Sequence, residues 1–162
     1  NIQSHLSAET LFKSPEKPSS FDIEGQCHYF NFSFGQVFWL GPHEWLISTN
    51  NDPREIAAYF KDNVSNEIAL SDVTDGYCEL SLEGESLLKI LKQGMTCDLR
   101  DFNLEEDTES NKCVQTNFAK MPVVFWKNSK LSVNLLVRRS YADYLIDWLL
   151  EIGSEDGCEI LS

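Results

Sequence analysis

The sequence predicts an α+β fold, an antiparallel sheet with helices packed on one side, and three observations carry that expectation. Short apolar runs recur between turn formers, as in "QVFWL", "WLIST", "VVFW" and "LSVNLLV", the pattern of strands with at least one buried face. Two segments switch instead to a helical period: "DPREIAAYFKDNV", and the run in which Tyr141, Tyr144, Leu145, Trp148, Leu149 and Ile152 recur. Finally, Val-Phe-Trp occurs at Val37 and again at Val124, each time followed by a strand and an amphipathic helix. "WLIST" then "REIAAYF" corresponds to "NLLVR" then "ADYLIDWL", so one strand-to-helix unit is used twice. Ferredoxin-like repeats are the simplest architecture for that order.

The elements follow in sequence. Residues 1–24, with Pro15 and Pro18, read as an N-terminal surface arm, extended or only briefly helical. From Cys27 to Phe34 apolar and polar residues alternate, with His28, Phe30, Phe32 and Phe34 on one side, as in a half-buried strand. "QVFWL" and "WLIST" are strands around Gly41-Pro42-His43-Glu44. Asp52 is placed to cap a helix with Pro53 in its first turn and Ile56, Tyr59, Phe60 and Asn63 at helical spacing. "EIALSDV" and "YCELSLEGE" read as strands joined by the turn former Asp75-Gly76. "ESLLKILKQG" reads as a helix with Leu87, Leu88 and Leu91 inward and Gly94 as its stop. The acidic stretch 101–112, "DFNLEEDTESNK", is expected to be a solvated loop that covers no core. Strands "CVQTNFA", "VVFW" and "LSVNLLV" precede the last helix, which Ser140 with Asp143 would cap and Gly153 would end. Residues 154–162 form a tail.

Composition narrows the partners. At 162 residues the chain can bury roughly 70% of its unfolded surface, and needs no metal or disulfide to hold it. A net charge of −13 repels phosphate backbones and anionic lipid, which argues against nucleic acid and membrane partners. The same charge could favour a basic protein surface, although a solvated soluble face accounts for it as well. Cys27, Cys78, Cys97, Cys113 and Cys158 are odd in number and widely spaced, and are expected to be free thiols. With no apolar stretch of spanning length and no basic or apolar leader pattern at the first residues, the expected location is cytoplasmic.

Candidate chemistry is sparse. His5 falls in the arm and His28 alternates with phenylalanines. His43 is the histidine beside a carboxylate, but side chains of His43 and Glu44 diverge on a turn, and no nucleophile accompanies them. Gly41-Pro42 is explained by chain reversal. Asp72 and Asp75 could pose as paired carboxylates, although turn and strand-end roles account for them. Arg138 and Arg139 could hold an anion or a partner carboxylate, or be solvated. No phosphate-cradling glycine loop or dinucleotide fingerprint is present. No catalytic, cofactor-binding or metal-ligating residue is therefore assigned.

Three stretches, "WLGPHEWLI", "SDVTDGYCELSLEGESLLKILKQGMTCDL" and "CVQTNFAKMPVVFWKNSKLSVNLLVRRSYADYLIDWL", resemble in order and spacing the gamma subunit of heterotetrameric sarcosine oxidase. That family lies within the aminomethyltransferase and folate-binding superfamily, whose Asp, turn, strand, Gly and leucine-rich helix are matched from Asp72 to Leu91. The most specific matches are the GPHEWL turn, Asp98-Leu99, Gln115-Thr116 and "RSYADYLIDWL".

The resemblance implies one gamma-like domain over 25–153, folded as in the aminomethyltransferase-type domain. It implies a small accessory subunit with no active site of its own, beside alpha, beta and delta subunits carrying FAD, FMN, NAD and tetrahydrofolate. The complex would demethylate sarcosine to glycine, pass the methyl carbon to folate or release it as formaldehyde, and reduce oxygen to hydrogen peroxide. Alternatives of other classes are a stand-alone folate or pterin-binding module, and a subunit of a related N-methylamine oxidase. The chain departs from the family pattern in its acidic loop 105–112 and in His43, where Asp is usual. No counterpart of the aminomethyltransferase catalytic aspartate motif is found, so folate binding is not carried over.

Overall fold

The structure is a computed structural model that describes residues 2–5, 8–13, 28–32, 35–42, 44–63, 69–108 and 110–161. His43, Cys27 and the arm residues 14–24 lie outside the described residues. The elements are β1 (Ile2–His5), β2 (Ala8–Lys13), β3 (Tyr29–Phe32), β4 (Gly35–Gly41), β5 (Glu44–Thr49), α1 (Pro53–Asn63), β6 (Ala69–Asp72), β7 (Tyr77–Glu83), α2 (Leu87–Gly94), β8 (Cys113–Phe118), β9 (Met121–Ser129), β10 (Ser132–Arg138), α3 (Arg139–Ile152) and β11 (Ile160–Leu161). They divide into two units, Ser7–Asp75, and Gly76–Ser162 together with Asn1–Leu6.

In the unit Ser7–Asp75 the sheet runs β3-β4-β5-β2-β6, with every pair antiparallel. Alternation puts Val37, Trp45 and Ile47 on one face, where they meet Ile56 and Phe60 of α1. Each such side chain, fully covered, contributes about 1.5–3 kcal/mol. Phe38 and Leu46 point the other way and are buried too, so β5 is covered on both faces. The expected cap holds: the carboxylate of Asp52 accepts from the Arg54 N–H at 2.8 Å.

The second unit has the sheet order β11-β1-β7-β10-β9-β8. The Leu80, Leu82, Phe125, Val133, Leu135 and Val137 side chains form one face, covered by Leu87 and Leu91 of α2 and by Ala142, Leu145 and Leu149 of α3. The two sheets share a ferredoxin-like strand order. β6-β2-β5-β4 in the first matches β1-β7-β10-β9 in the second, with β3 and β8 as the added edge strands. α1 follows β5 as α3 follows β10. The repeated Val-Phe-Trp therefore lies on equivalent strands, but one residue out of register. Val37 belongs to the core under α1, whereas on β9 it is Phe125, not Val124, that belongs to the core under α3.

Four expectations need correction. Ile2–His5 and Ala8–Lys13, placed in a surface arm, are strands with hydrogen-bonded neighbours on both sides, β1 between β7 and β11 and β2 between β5 and β6. In the expected tail, Ser154–Asp156 is a 3₁₀ turn and β11 is a strand. The strands flanking Asp75-Gly76 do not pair, because β6 belongs to the five-stranded sheet and β7 to the six-stranded one. The stretch 101–112 does cover a core: Phe102 and Leu104 are 5% and 3% exposed. Asn103 between them is left-handed (φ 44°), a conformation its short polar side chain tolerates. Lys127, buried on β9, donates to the carbonyls of Asn103 and Glu106 and holds this turn down.

Helix ends also differ. α3 starts at Arg139, ahead of Ser140, and no side chain caps it. Gly94 is the last residue of α2 and has no left-handed backbone; a Cβ there would stand 2.8 Å from the Trp148 ring and 3.0 Å from the Ala119 nitrogen. Close approach, not a turn, requires this glycine.

Candidate functional site

The residues singled out by sequence are engaged locally. Glu44 opens β5 opposite Gly41, closing the hairpin. The carboxylate of Asp72 accepts from the Thr74 N–H at 3.0 Å and the Thr74 hydroxyl at 2.7 Å, and the first of these leads in holding it below its usual pKa. That is a turn cap, next to the exposed Asp75 in the following 3₁₀ turn. The Arg138 guanidinium lies 4.9 Å over the Tyr77 ring. His28 is half-buried and its carbonyl accepts from the Trp39 N–H at 3.1 Å. His5 lies on β1.

The cysteines Cys78, Cys97, Cys113 and Cys158 are free thiols. Burial pushes Cys78 and Cys97 above the ordinary thiol value, so they are poor nucleophiles. Among the described residues no group of three or more His, Cys, Asp or Glu could hold a metal ion. No helix described is long and apolar enough to cross a membrane.

The entry to α2 is where a glycine turn opens a helix, the setting in which a dinucleotide pyrophosphate could sit. A hollow of about 290 Å³ lies there, with Leu87, Ile90 and Leu149 inside and Glu83, Glu85 and Asp156 around it. Asp156 accepts from Lys89 at 2.7 Å and from Ser86 at 3.0 Å, and the Lys89 contact leads in lowering its pKa. The nearby ammonium is thus already neutralised and the rim is anionic. These residues do not fit a flavin or nicotinamide dinucleotide.

A second surface is built on α3. At about 100° per residue, Ala142, Leu145 and Leu149 point into the core and Tyr144 points roughly 135° away from them. Tyr141 and Tyr144, which recur at helical spacing with Leu145 and Leu149, are 39% and 45% exposed. Trp148 lies on the same side of the helix as the tyrosines, half-buried, with its ring edge-on to Phe118 at 5.2 Å. Next to it Gly94, Thr96, Asn117, Ala119 and Lys120 line a hollow of about 480 Å³, with Tyr144 on its wall. Asp143, Asp147 and Glu151 are exposed on the same helix. This face is exposed, aromatic and flanked by carboxylates. The sequence signal was present in the acidic residues interleaved with the tyrosines, which mark the outer side of the helix.

Paired ferredoxin-like sheets with helices define an aminomethyltransferase-type fold. The glycine cleavage system aminomethyltransferase T from Bartonella henselae superposes with a TM-score of 0.63 at 12% identity, over 99% of this chain and 47% of that one. The chain belongs to the sarcosine oxidase, gamma subunit family, which it matches over residues 31–155. A curated relative, sarcosine oxidase subunit gamma of Corynebacterium sp. (strain U-96), is 26% identical over 121 residues, 74% of this chain. This chain spans little more than half of the curated relatives it matches, 56% of that one. A chain of the heterotetrameric sarcosine oxidase from Corynebacterium sp. U-96 has the same fold, with a TM-score of 0.79 at 19% identity, over 100% of this chain and 87% of that chain.

Proposed function

We propose that this chain is an accessory, structural subunit of a sarcosine oxidase complex and contributes no reacting group of its own. The family match over residues 31–155 carries the reading. It is supported by the roles found for the polar residues: Asp72 caps a turn and Arg138 stacks on Tyr77. In this reading the alpha, beta and delta subunits are its partners in the cytoplasm and carry FAD, FMN, NAD and tetrahydrofolate. The complex oxidises the methyl group of sarcosine, leaving glycine, with the carbon passed to folate or released as formaldehyde and oxygen reduced to hydrogen peroxide.

The test is co-expression of the tagged chain with the alpha, beta and delta chains of a sarcosine oxidase from the same organism. A stoichiometric complex producing peroxide from sarcosine, and a colourless, inactive isolated chain, are expected. Flavin co-purifying at one per isolated chain would overturn the reading. Calorimetric binding of tetrahydrofolate by the isolated chain would favour a stand-alone folate module, and activity on other N-methylamines but not sarcosine would assign the complex to a related oxidase.

A further inference from the structure

We infer that the outer face of α3, centred on Tyr141 and Tyr144 and continuing into the hollow beside Trp148, docks an arginine-bearing basic surface of a partner subunit. The inference rests on the gamma-subunit reading and names the surface through which that role is exerted. The buried stripe of α3 is complete without the two tyrosines, so the core does not require them. Tyrosines one helical turn apart offer large, stiff side chains that lose little entropy on contact. Their ring faces accept a guanidinium, and Asp147 and Glu151, about one and two turns further along, supply the carboxylates it pairs with. The net charge of −13 acts in the same direction at long range. Lys120 is the charged residue lining the hollow, so the carboxylates that face a basic partner are those on α3 and not on the hollow's wall. The missing Cβ of Gly94 lets the Trp148 ring settle low, which leaves the hollow open for an inserted side chain.

The experiment compares the wild-type chain, the double variant Tyr141→Ala/Tyr144→Ala and the charge variant Asp147→Lys in the same co-expression with the alpha, beta and delta chains, with thermal melting of each isolated chain as a control. Both variants change exposed positions, so the melting midpoints should stay close to wild type. The double variant should lower the affinity for the other chains by about tenfold or more. The charge variant should weaken assembly and flatten its dependence on salt. Undiminished assembly of both variants, with the wild type assembling, overturns this surface alone. Failure of the wild type to assemble overturns the proposed function and this surface with it. A homodimer of the isolated chain that the tyrosine variant dissolves would assign the face to a second copy and overturn the basic-partner inference.

Discussion

The ammonium of Lys127 donates to the carbonyl oxygens of Asn103 at 2.8 Å and Glu106 at 2.7 Å, from a side chain rooted in the core face of β9. A lysine 1% exposed thus fastens an acidic loop to the sheet. Lys127→Met keeps the stem and removes the donors, and should cost about 1.5 to 3 kcal/mol, the range for hydrogen bonds to a charged group. Limited proteolysis within 103–108 should become faster at the same time. An unchanged denaturant midpoint would show that these carbonyls are satisfied without the lysine.

Trp45 is 2% exposed and packs with Val37, Ile47, Ile56 and Phe60. Trp45→Ala should therefore lower stability by about 3 to 5 kcal/mol, as for other large-to-small changes in a packed core. Urea unfolding followed by circular dichroism measures it. Loss of assembly with unaltered stability would instead place this ring at a subunit contact, against its burial.

Gly94→Ala should destabilise the chain although alanine is the better helix former. The added methyl meets the Trp148 ring and the Ala119 backbone, and neither is a flexible chain end. Overpacking of this kind costs about 1 to 3 kcal/mol, more than the roughly 1 kcal/mol gained in propensity. A shifted tryptophan emission should accompany the loss, and a stabilised variant with wild-type emission would contradict the packing described.

The Arg100 side chain donates to both carboxylate oxygens of Asp98 in three contacts, and the Arg100 backbone N–H adds a fourth. These contacts bring the Asp98 pKa down to about 2. Its folded pKa lies below the unfolded value near 3.9, so the contribution is present above about pH 4 and is lost as pH falls through about 2. Asp72 and Asp156 are lowered too and act in the same direction. Carboxyl-carbon NMR should show Asp98 titrating near 2 in the folded chain; a midpoint near 3.9 would mean the pair does not form in solution.

Legibility followed locality. α1, with its Asp52 cap, and the paired strands β4 and β5 could be read because pattern, turn and cap lie within a few residues of one another. β1 and β2 could not: "IQSH" and "AETLFK" carry little strand signal, and their pairing comes from residues far along the chain. Phe102 and Leu104 were hidden because two isolated apolar residues in an acidic run have no period, and only the left-handed Asn103 turns both inward. The tyrosines of α3 failed in the opposite way. Their spacing fits a buried stripe, and only the sheet beneath decides that Ala142, Leu145 and Leu149 are the ones covered. The exposed tyrosine face of α3 needed the fold.

The position of β1 sets an order on biosynthesis. Ile2 faces Leu82 on one side and Ile160 on the other, so this segment leaves the ribosome long before either neighbour exists. The five-stranded sheet draws all its strands from Ala8 to Asp72 and can close while later residues are still being added. The six-stranded sheet is complete only when Ile160 has emerged, and β1 must wait at least until β7 has been made. Such distant pairing makes closure slow, and a nascent chain stalled before Ile160 would present an open β1 edge to chaperones and to neighbouring chains.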